Sequence, residues 1–210
     1  MKIKAVLFDL DGVLVDATEW HYLALNRALG LFGYTISRYE HLTTYNGLPT
    51  RKKLEMLSVE KNFPRGLHPL ANKIKQKYTR EEILRNCTPV FEKEFMLHQL
   101  KRDGYRIGCC SNSIRESVEL MLKGSGVWEL FDFVASNEDV KNPKPDPEMY
   151  LAAFKCLKLK PSECVIIEDA GHGIEAAKRS GGVLCQVTGF GDVDYPRLKN
   201  FISSVEKGGH

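Results

Sequence analysis

The sequence predicts an α/β fold: a doubly wound, Rossmann-like parallel sheet core with an inserted all-helical cap domain. Three observations predict it. A short apolar run, Ala5 to Phe8, ends abruptly in acid at Asp9 and Asp11, as a buried strand does on reaching the rim of a sheet. From Thr88 onward, apolar strand-like runs alternate with helical periodicity, the rhythm of a parallel sheet. Between Asp16 and Thr88 there is helical spacing and no cleanly alternating strand. The expected division is 1–15 and 89–210 for the core and 16–88 for the helical cap.

Taken in order, Asp16-Ala17-Thr18-Glu19 reads as an Asp-x-x-Glu helix start. Leu25, Ala28, Leu29 and Phe32 then recur at i, i+3, i+4 and i+7, one helical face, and Gly33 ends it. Asn46-Gly47-Leu48-Pro49-Thr50 is a turn into a second helix carrying Leu54 and Leu57, and charge-rich helical sequence continues to about Arg85. A helix ending near Gly104 precedes the strand Arg106 to Cys110. The face Ile114, Val118, Met121 and Leu122 follows, stopped by Gly124-Ser125-Gly126. A short strand spans Phe131 to Ala135. The loop Lys141 to Pro147 holds three prolines, too many for the interior of a helix or strand. Next come a helix with Tyr150, Leu151, Phe154 and Leu157, and the strand Cys164 to Ile167 ending in Glu168-Asp169. A helix from about Gly173 and a strand from Val183 to Val187 follow. Ser203 to His210 reads as a frayed tail.

Composition bounds the possibilities. The chain has 210 residues, 43% hydrophobic and 27% charged, enough for a sizeable core. A net charge of +3 carries no signal for nucleic acid, no apolar run is long enough to span a bilayer, and neither partner is expected. Asp9 interrupts the only apolar run near the N-terminus, so that run is no signal peptide. The six cysteines form no C-x-x-C, and four lie in or beside strand-like runs. Buried, reduced thiols and a cytoplasmic location are expected.

Two strands, the first and the fourth, both end in paired carboxylates: Asp9/Asp11 and Glu168/Asp169. If they are neighbours, four acids meet at one rim, and clustered oxygen ligands suit a hard cation such as Mg²⁺. Ser111-Asn112 offers a hydroxyl and a backbone N–H to a phosphoryl oxygen. Lys144, between prolines, can neutralise both a carboxylate and a phosphate. Each has a plainer reading alone: Ser111 as a helix N-cap, Lys144 as a solvated loop charge, Glu168-Asp169 as helix-start acids.

Together, Asp9-x-Asp11-Gly-Val-Leu-Val-Asp, Ser111-Asn112, Lys144-Pro-Asp-Pro and Glu168-Asp169-Ala-x-x-Gly-Ile-x-Ala-Ala resemble the four motifs of the haloacid dehalogenase-like hydrolase superfamily. The likeness runs end to end, and the helical insert resembles the cap of the phosphoglycolate phosphatase and β-phosphoglucomutase branch. The resemblance implies Asp9 as nucleophile forming an aspartyl-phosphate, and Asp11 as general acid then base. It implies Mg²⁺ held by the Asp9 carboxylate, the Asp11 carbonyl and Asp169, with Glu168 acting directly or through water. Ser111, Asn112 and Lys144 would bind phosphate, with Lys141 a rival for the lysine role. In the cap, Gly47 and Arg51 resemble the closing loop, Arg51 being a candidate to grip a substrate carboxylate or distal phosphate, or simply a surface residue. His21 resembles the histidine of the mutases' Glu-Tyr-His, and is otherwise structural. Lys73, Lys75 and Lys77 cover the place of a substrate-binding lysine, in a register the sequence does not fix. Ala17 stands where those mutases carry a threonine, and Thr88-Pro89 where a Pro-Gly is common. The implied activity is a Mg²⁺-dependent phosphatase acting on a small phosphorylated metabolite as a monomer. A β-phosphoglucomutase-like transferase is the alternative, and a binding or regulatory module the remaining one. Dehalogenation would not need Asp11.

Overall fold

The computed structural model describes residues 2–208. Its sheet holds β1 (Ala5–Phe8), β2 (Arg106–Cys110), β3 (Phe133–Ala135), β4 (Cys164–Glu168) and β5 (Val183–Gln186), all parallel, in the order β3-β2-β1-β4-β5. β1 is central: Val6 is in register with Ile107 on one side and Val165 on the other. All four of its residues are buried, because helices cover both faces of the sheet. The chain builds β2 and β3 on one side of β1, then crosses to build β4 and β5 on the other. The carboxyl ends of β1 and β4 therefore lie side by side at a topological switch point, where such sheets bind ligands.

The strand period of two sorts the core. Val6 and Phe8 join Ile107, Val165 and Ile167 on one face, against α5 (Phe91–Arg102), α6 (Arg115–Gly124) and α9 (Tyr195–Glu206). Ala5 and Leu7 join Cys110 and Ile166 on the other, against α7 (Glu148–Leu157) and α8 (Gly171–Ser180). Between β1 and α5 the chain forms α1 (Thr18–Gly30) and α2 (Arg38–Glu40), which runs into a π-helical turn, His41–Tyr45. α3 (Thr50–Glu60) and α4 (His68–Asn86) complete the block. These helices have an apolar cluster of their own: Leu25, Leu29, Ile36, Tyr45, Leu54, Leu57, Phe63 and Ala71.

Several expectations are corrected. Ser203 to Glu206 is not a frayed tail but the last turn of α9. Asp194 caps that helix by accepting from the Arg197 N–H, Pro196 sits in its first turn, and Leu198, Ile202 and Val205 are buried at helical spacing. Gly209 and His210 lie outside the described residues. Asp16 does not cap α1: the cap position is Ala17, buried in the core cluster, and Asp16 is exposed. Packing of Leu14, Val15 and Ala17 decides where the helix starts, overriding the capping signature. Phe131 ends a single 3-10 turn rather than starting β3. Ser111 is not an N-cap, since α6 begins at Arg115 after Ile114. All six cysteines are free; Cys109, Cys110, Cys164 and Cys185 are buried and Cys156 is exposed. No described helix is long and apolar enough to cross a membrane.

Candidate active site

β1, β2 and β4 each deliver a polar group at their carboxyl ends, and the loop before α7 delivers Lys144. Lys144 is 3% exposed. Its ammonium donates to Asp9 Oδ1 at 2.8 Å, Glu168 Oε1 at 2.6 Å and the Cys110 carbonyl at 2.6 Å, which uses all three of its hydrogens. Burial opposes its charge, but Asp9 and Glu168 outweigh burial and hold its pKa well above the usual lysine value. A direct contact to phosphate would require one of these three partners to yield. Lys141 is exposed, its backbone N–H bound to Glu148, so the lysine of this site is Lys144.

Asp9, Glu168 and Asp169 each present an oxygen within 4.8 Å of the others. Glu168 Oε1 also accepts from the Tyr150 hydroxyl. Glu168 Oε2 and Asp169 Oδ1 are buried with no hydrogen-bond partner among the described residues. Burial, then Asp9, pushes Asp169 up to about 7. Burial, opposed by Lys144 and reinforced by Asp9, takes Glu168 to about 8. Burial also raises Asp9, against Lys144 and with Asp11. Three crowded carboxylates with two orphaned oxygens fit a hard divalent cation, which would supply their missing partner. Two glycines make the crowding possible. A Cβ on Gly12 would lie 2.4 Å from Asp169 Oδ2, and one on Gly173 2.0 Å from Glu168 Oε2.

Asp11 points elsewhere. Its Oδ1 is 2.7 Å from His21 Nε2, and its Oδ2 accepts from the hydroxyls of Ser113 at 2.8 Å and Ser111 at 3.2 Å. Its carboxylate is therefore outside the acidic cluster. Burial pushes the Asp11 carboxyl up, but His21, Ser113 and Lys75 outweigh it and hold it at about 2. His21 Nδ1 is 3.2 Å from Lys75 Nζ. Lysine cannot accept while protonated, so this network assigns Nδ1 as acceptor and places the ring hydrogen on Nε2, facing Asp11. Ser111 also accepts from the Ser113 N–H at 3.0 Å. The Asn112 carboxamide donates to Gly47 O at 3.0 Å and Lys144 O at 3.1 Å, and accepts from the Lys144 N–H at 3.0 Å. It ties the cap loop to the lysine loop.

A cleft between core and helices collects Asp9, Asp11, His21, Asn112, Ser113, Lys144 and Glu168, closed on the cap side by Asn46, Gly47, Thr50, Lys53, Lys75 and Gln76. Arg51 is not among its lining. Its side chain is 88% exposed and pairs with Glu55 one turn on, because the second position of α3 faces solvent. Beside Lys144 from the core, the cap cations that line the cleft are Lys53, 4% exposed, and Lys75, 5% exposed. Burial brings Lys53 down to about 8, with Asp11 opposing. Burial and then Lys53 bring Lys75 down to about 7, with Asp11 again opposing. Lys73 and Lys77 are exposed on other faces of α4, so of the three it is Lys75 that faces the cleft. Sequence reasoning missed Lys53, Ser113 and Tyr150. The periodicity carried a usable signal for Lys53, which shares the buried face of α3 with Leu54 and Leu57.

Comparison with known proteins fits this arrangement. The model of the haloacid dehalogenase-like hydrolase family matches residues 6–187. The chain belongs to the haloacid dehalogenase-like hydrolases. Among curated members, Pyrophosphatase PpaX of Bacillus velezensis is 30% identical over 189 residues, covering 86% of this chain and 81% of that protein. Among solved structures of the fold, β-phosphoglucomutase from Clostridium difficile superposes with a TM-score of 0.84 at 23% identity, over 98% of this chain and 99% of that one. CbbY from Rhodobacter sphaeroides, solved as a mutant with xylulose-(1,5)bisphosphate, gives a TM-score of 0.80 at 23% identity, over 90% and 87%. This haloacid dehalogenase-like chain is a hydrolase by family, and its curated relatives carry a phosphatase name.

Proposed function

We propose that this chain is a Mg²⁺-dependent phosphatase that cleaves a small phosphate ester or anhydride through a phosphoryl group carried on Asp9. We further propose that its preferred substrate bears a second anionic group. The observation that carries the substrate class is the pair Lys53 and Lys75. Both are buried cations lining the cap wall, and neither forms an ion pair among the described residues. Buried charge is costly unless compensated, and an anionic leaving group compensates it. Pyrophosphate, the substrate class named for PpaX, and a sugar bisphosphate, bound by CbbY, both have that form.

In this reading an Asp9 oxygen attacks phosphorus and the bond to the leaving oxygen breaks. The leaving oxygen takes a proton from Asp11. Asp11 is ionised in the free enzyme, so that proton comes from His21 Nε2, and His21 is replenished at Nδ1 by Lys75. An amine titrating at about 7 is well matched to such a relay. Water then attacks the phosphoryl group, its proton returns along Asp11 and His21 to Lys75, and Asp9 and phosphate are released. Asp9, Asp169 and Glu168 would hold Mg²⁺, which supplies charge stabilisation to the transferring phosphoryl group. The Asn112 backbone N–H and the Ser111 hydroxyl would bind phosphoryl oxygens, Ser111 by releasing Asp11. The helical block acts as the lid, and every group named comes from one chain. Free cysteines support the cytoplasmic expectation.

The test is phosphate release from a panel spanning pyrophosphate, sugar bisphosphates and neutral-leaving-group monoesters, with Mg²⁺ and with Asp9→Asn as control. No release from any compound refutes the phosphatase reading. The contact of His21 with Asp11 favours one second reading, phosphoryl transfer within a hexose. Conversion of β-glucose 1-phosphate to glucose 6-phosphate with a bisphosphate primer, without net phosphate release, would establish it instead.

A further inference from the structure

Away from the active site, a cavity of about 150 Å³ lies where the helical block joins the core. Both connecting segments build it: Leu14, Val15 and Asp16 on the way out, and Cys87, Thr88 and Val90 on the way back. Trp20, Leu97, Val127 and Phe190 complete an apolar interior, while Asp16, Asn86 and Thr88 are exposed at the mouth. Two charged groups line it, the exposed Asp16 and the buried Lys93. Lys93 is 5% exposed, and its ammonium donates to the Phe190 carbonyl at 2.6 Å and to the Val193 carbonyl and lies 4.2 Å from the centroid of the Phe190 ring. Among the described residues it forms no ion pair. Its nearest acids, Asp194, Glu92 and Asp192, act only at longer range, and burial brings it down to about 8. The mechanism uses none of these groups.

We propose that this hinge cavity binds a small apolar monocarboxylate, ring or alkyl chain inside and carboxylate on Lys93, and that binding restrains the swing of the helical block. Size and chemistry point the same way. An apolar cavity of roughly 150 Å³ accommodates a benzene-sized group, and a buried ammonium at its wall with no anionic partner among the described residues selects an anionic acceptor over a neutral one. Because both connecting segments are walls, an occupant that touches them ties the two strands of the hinge together.

The probes are benzoate and its neutral near-isostere benzyl alcohol, titrated calorimetrically into the Mg²⁺-loaded protein. Saturable benzoate binding is expected, at least about tenfold tighter than benzyl alcohol, the value of one charge-assisted hydrogen bond. Val90→Phe, which fills the cavity, and Lys93→Met should each weaken benzoate by about tenfold or more. Inhibition by benzoate should lower kcat and leave KM in place. No saturable heat up to about 20 mM benzoate, equal affinity for benzyl alcohol, or competition with inorganic phosphate overturns the proposal. The comparison of the two probes uses unmodified protein, so it stands even if a variant fails to fold. Calorimetry does not depend on turnover, so failure here is distinct from failure of the phosphatase reading.

Discussion

Replacing Lys53 by Met separates stability from activity, and the structure fixes both signs. Lys53 is 4% exposed, and burial lowers its pKa from 10.5 to about 8. A lysine whose folded pKa is depressed binds its proton more weakly in the native state than in the unfolded one. Its penalty is therefore fully present below about 8 and is relieved as pH rises toward 10.5. The difference corresponds to about 3 kcal/mol of destabilisation at neutral pH. Methionine fills a similar volume without the charge, so Lys53→Met should raise the stability of the ligand-free protein by about 2–3 kcal/mol, or about 4–12 °C in Tm for a chain of this size. The same change should lower kcat/KM for pyrophosphate or a bisphosphate by about ten- to hundredfold, the worth of a charged hydrogen bond. A neutral-leaving-group ester should lose much less, so the ratio of the two is the readout. Calorimetric melting at pH 7 and at pH 10 completes the assay, because the stability gain should shrink at the higher pH. A Met variant that is less stable at pH 7, or one whose substrate ratio does not move, refutes the assignment of Lys53 as an uncompensated cation awaiting an anion.

Other predictions follow from the acidic cluster and the relay. Glu168 and Asp169 have raised folded pKa values, about 8 and about 7. Metal-free protein should therefore lose stability as pH rises from 5 to 8, and millimolar Mg²⁺ should restore it at pH 8, as differential scanning fluorimetry with and without chelator will show. Gly173→Ala would normally gain up to about 1 kcal/mol of helix propensity. Its Cβ would meet Glu168 Oε2 at 2.0 Å, so a net loss of about 1–3 kcal/mol and of Mg²⁺ affinity is expected in denaturant titrations. Gly171→Ala on the same helix, with nothing within 4 Å, should show the gain alone. His21→Gln should leave substrate KM within a few fold yet lower kcat by about 10²–10⁴. A kcat within threefold of the parent would remove His21 from the proton path.

How far the chain could be read without its structure depended on where the determining forces lie. The sheet was legible because Ala5–Phe8 and Cys164–Glu168 are buried on both faces, and burial on both faces writes itself as an uninterrupted apolar run. The acids that end those runs located one rim, and adjacency of β1 and β4 brought them together. What escaped was set by packing between distant segments. α9 begins at Tyr195, capped by Asp194, after the 3-10 turn Phe190–Asp192, and Ala17 rather than Asp16 takes the cap position of α1 because the core takes Ala17. Ser113 meets Asp11 across 102 positions of sequence, a contact no local pattern encodes.

The cap shows the limit most sharply, through one choice among neighbouring cations. Arg51, Lys52 and Lys53 are consecutive, and charge alone makes them equivalent. Resemblance favoured Arg51, by its place after Gly47. Helix geometry separates them, since successive residues on α3 are about 100° apart and only the face shared with Leu54 and Leu57 turns inward. Arg51 and Lys52 look outward to Glu55, where solvent makes their ion pairs cheap and weak. Lys53 looks inward, where no described acid pairs with it. A lysine on the apolar face of a helix is costly to fold around, and a cost borne at the mouth of an active cleft is a statement about the substrate. The residue we propose to meet the substrate's second anion was thus visible as a violation of amphipathicity, two positions from the one that family likeness suggested.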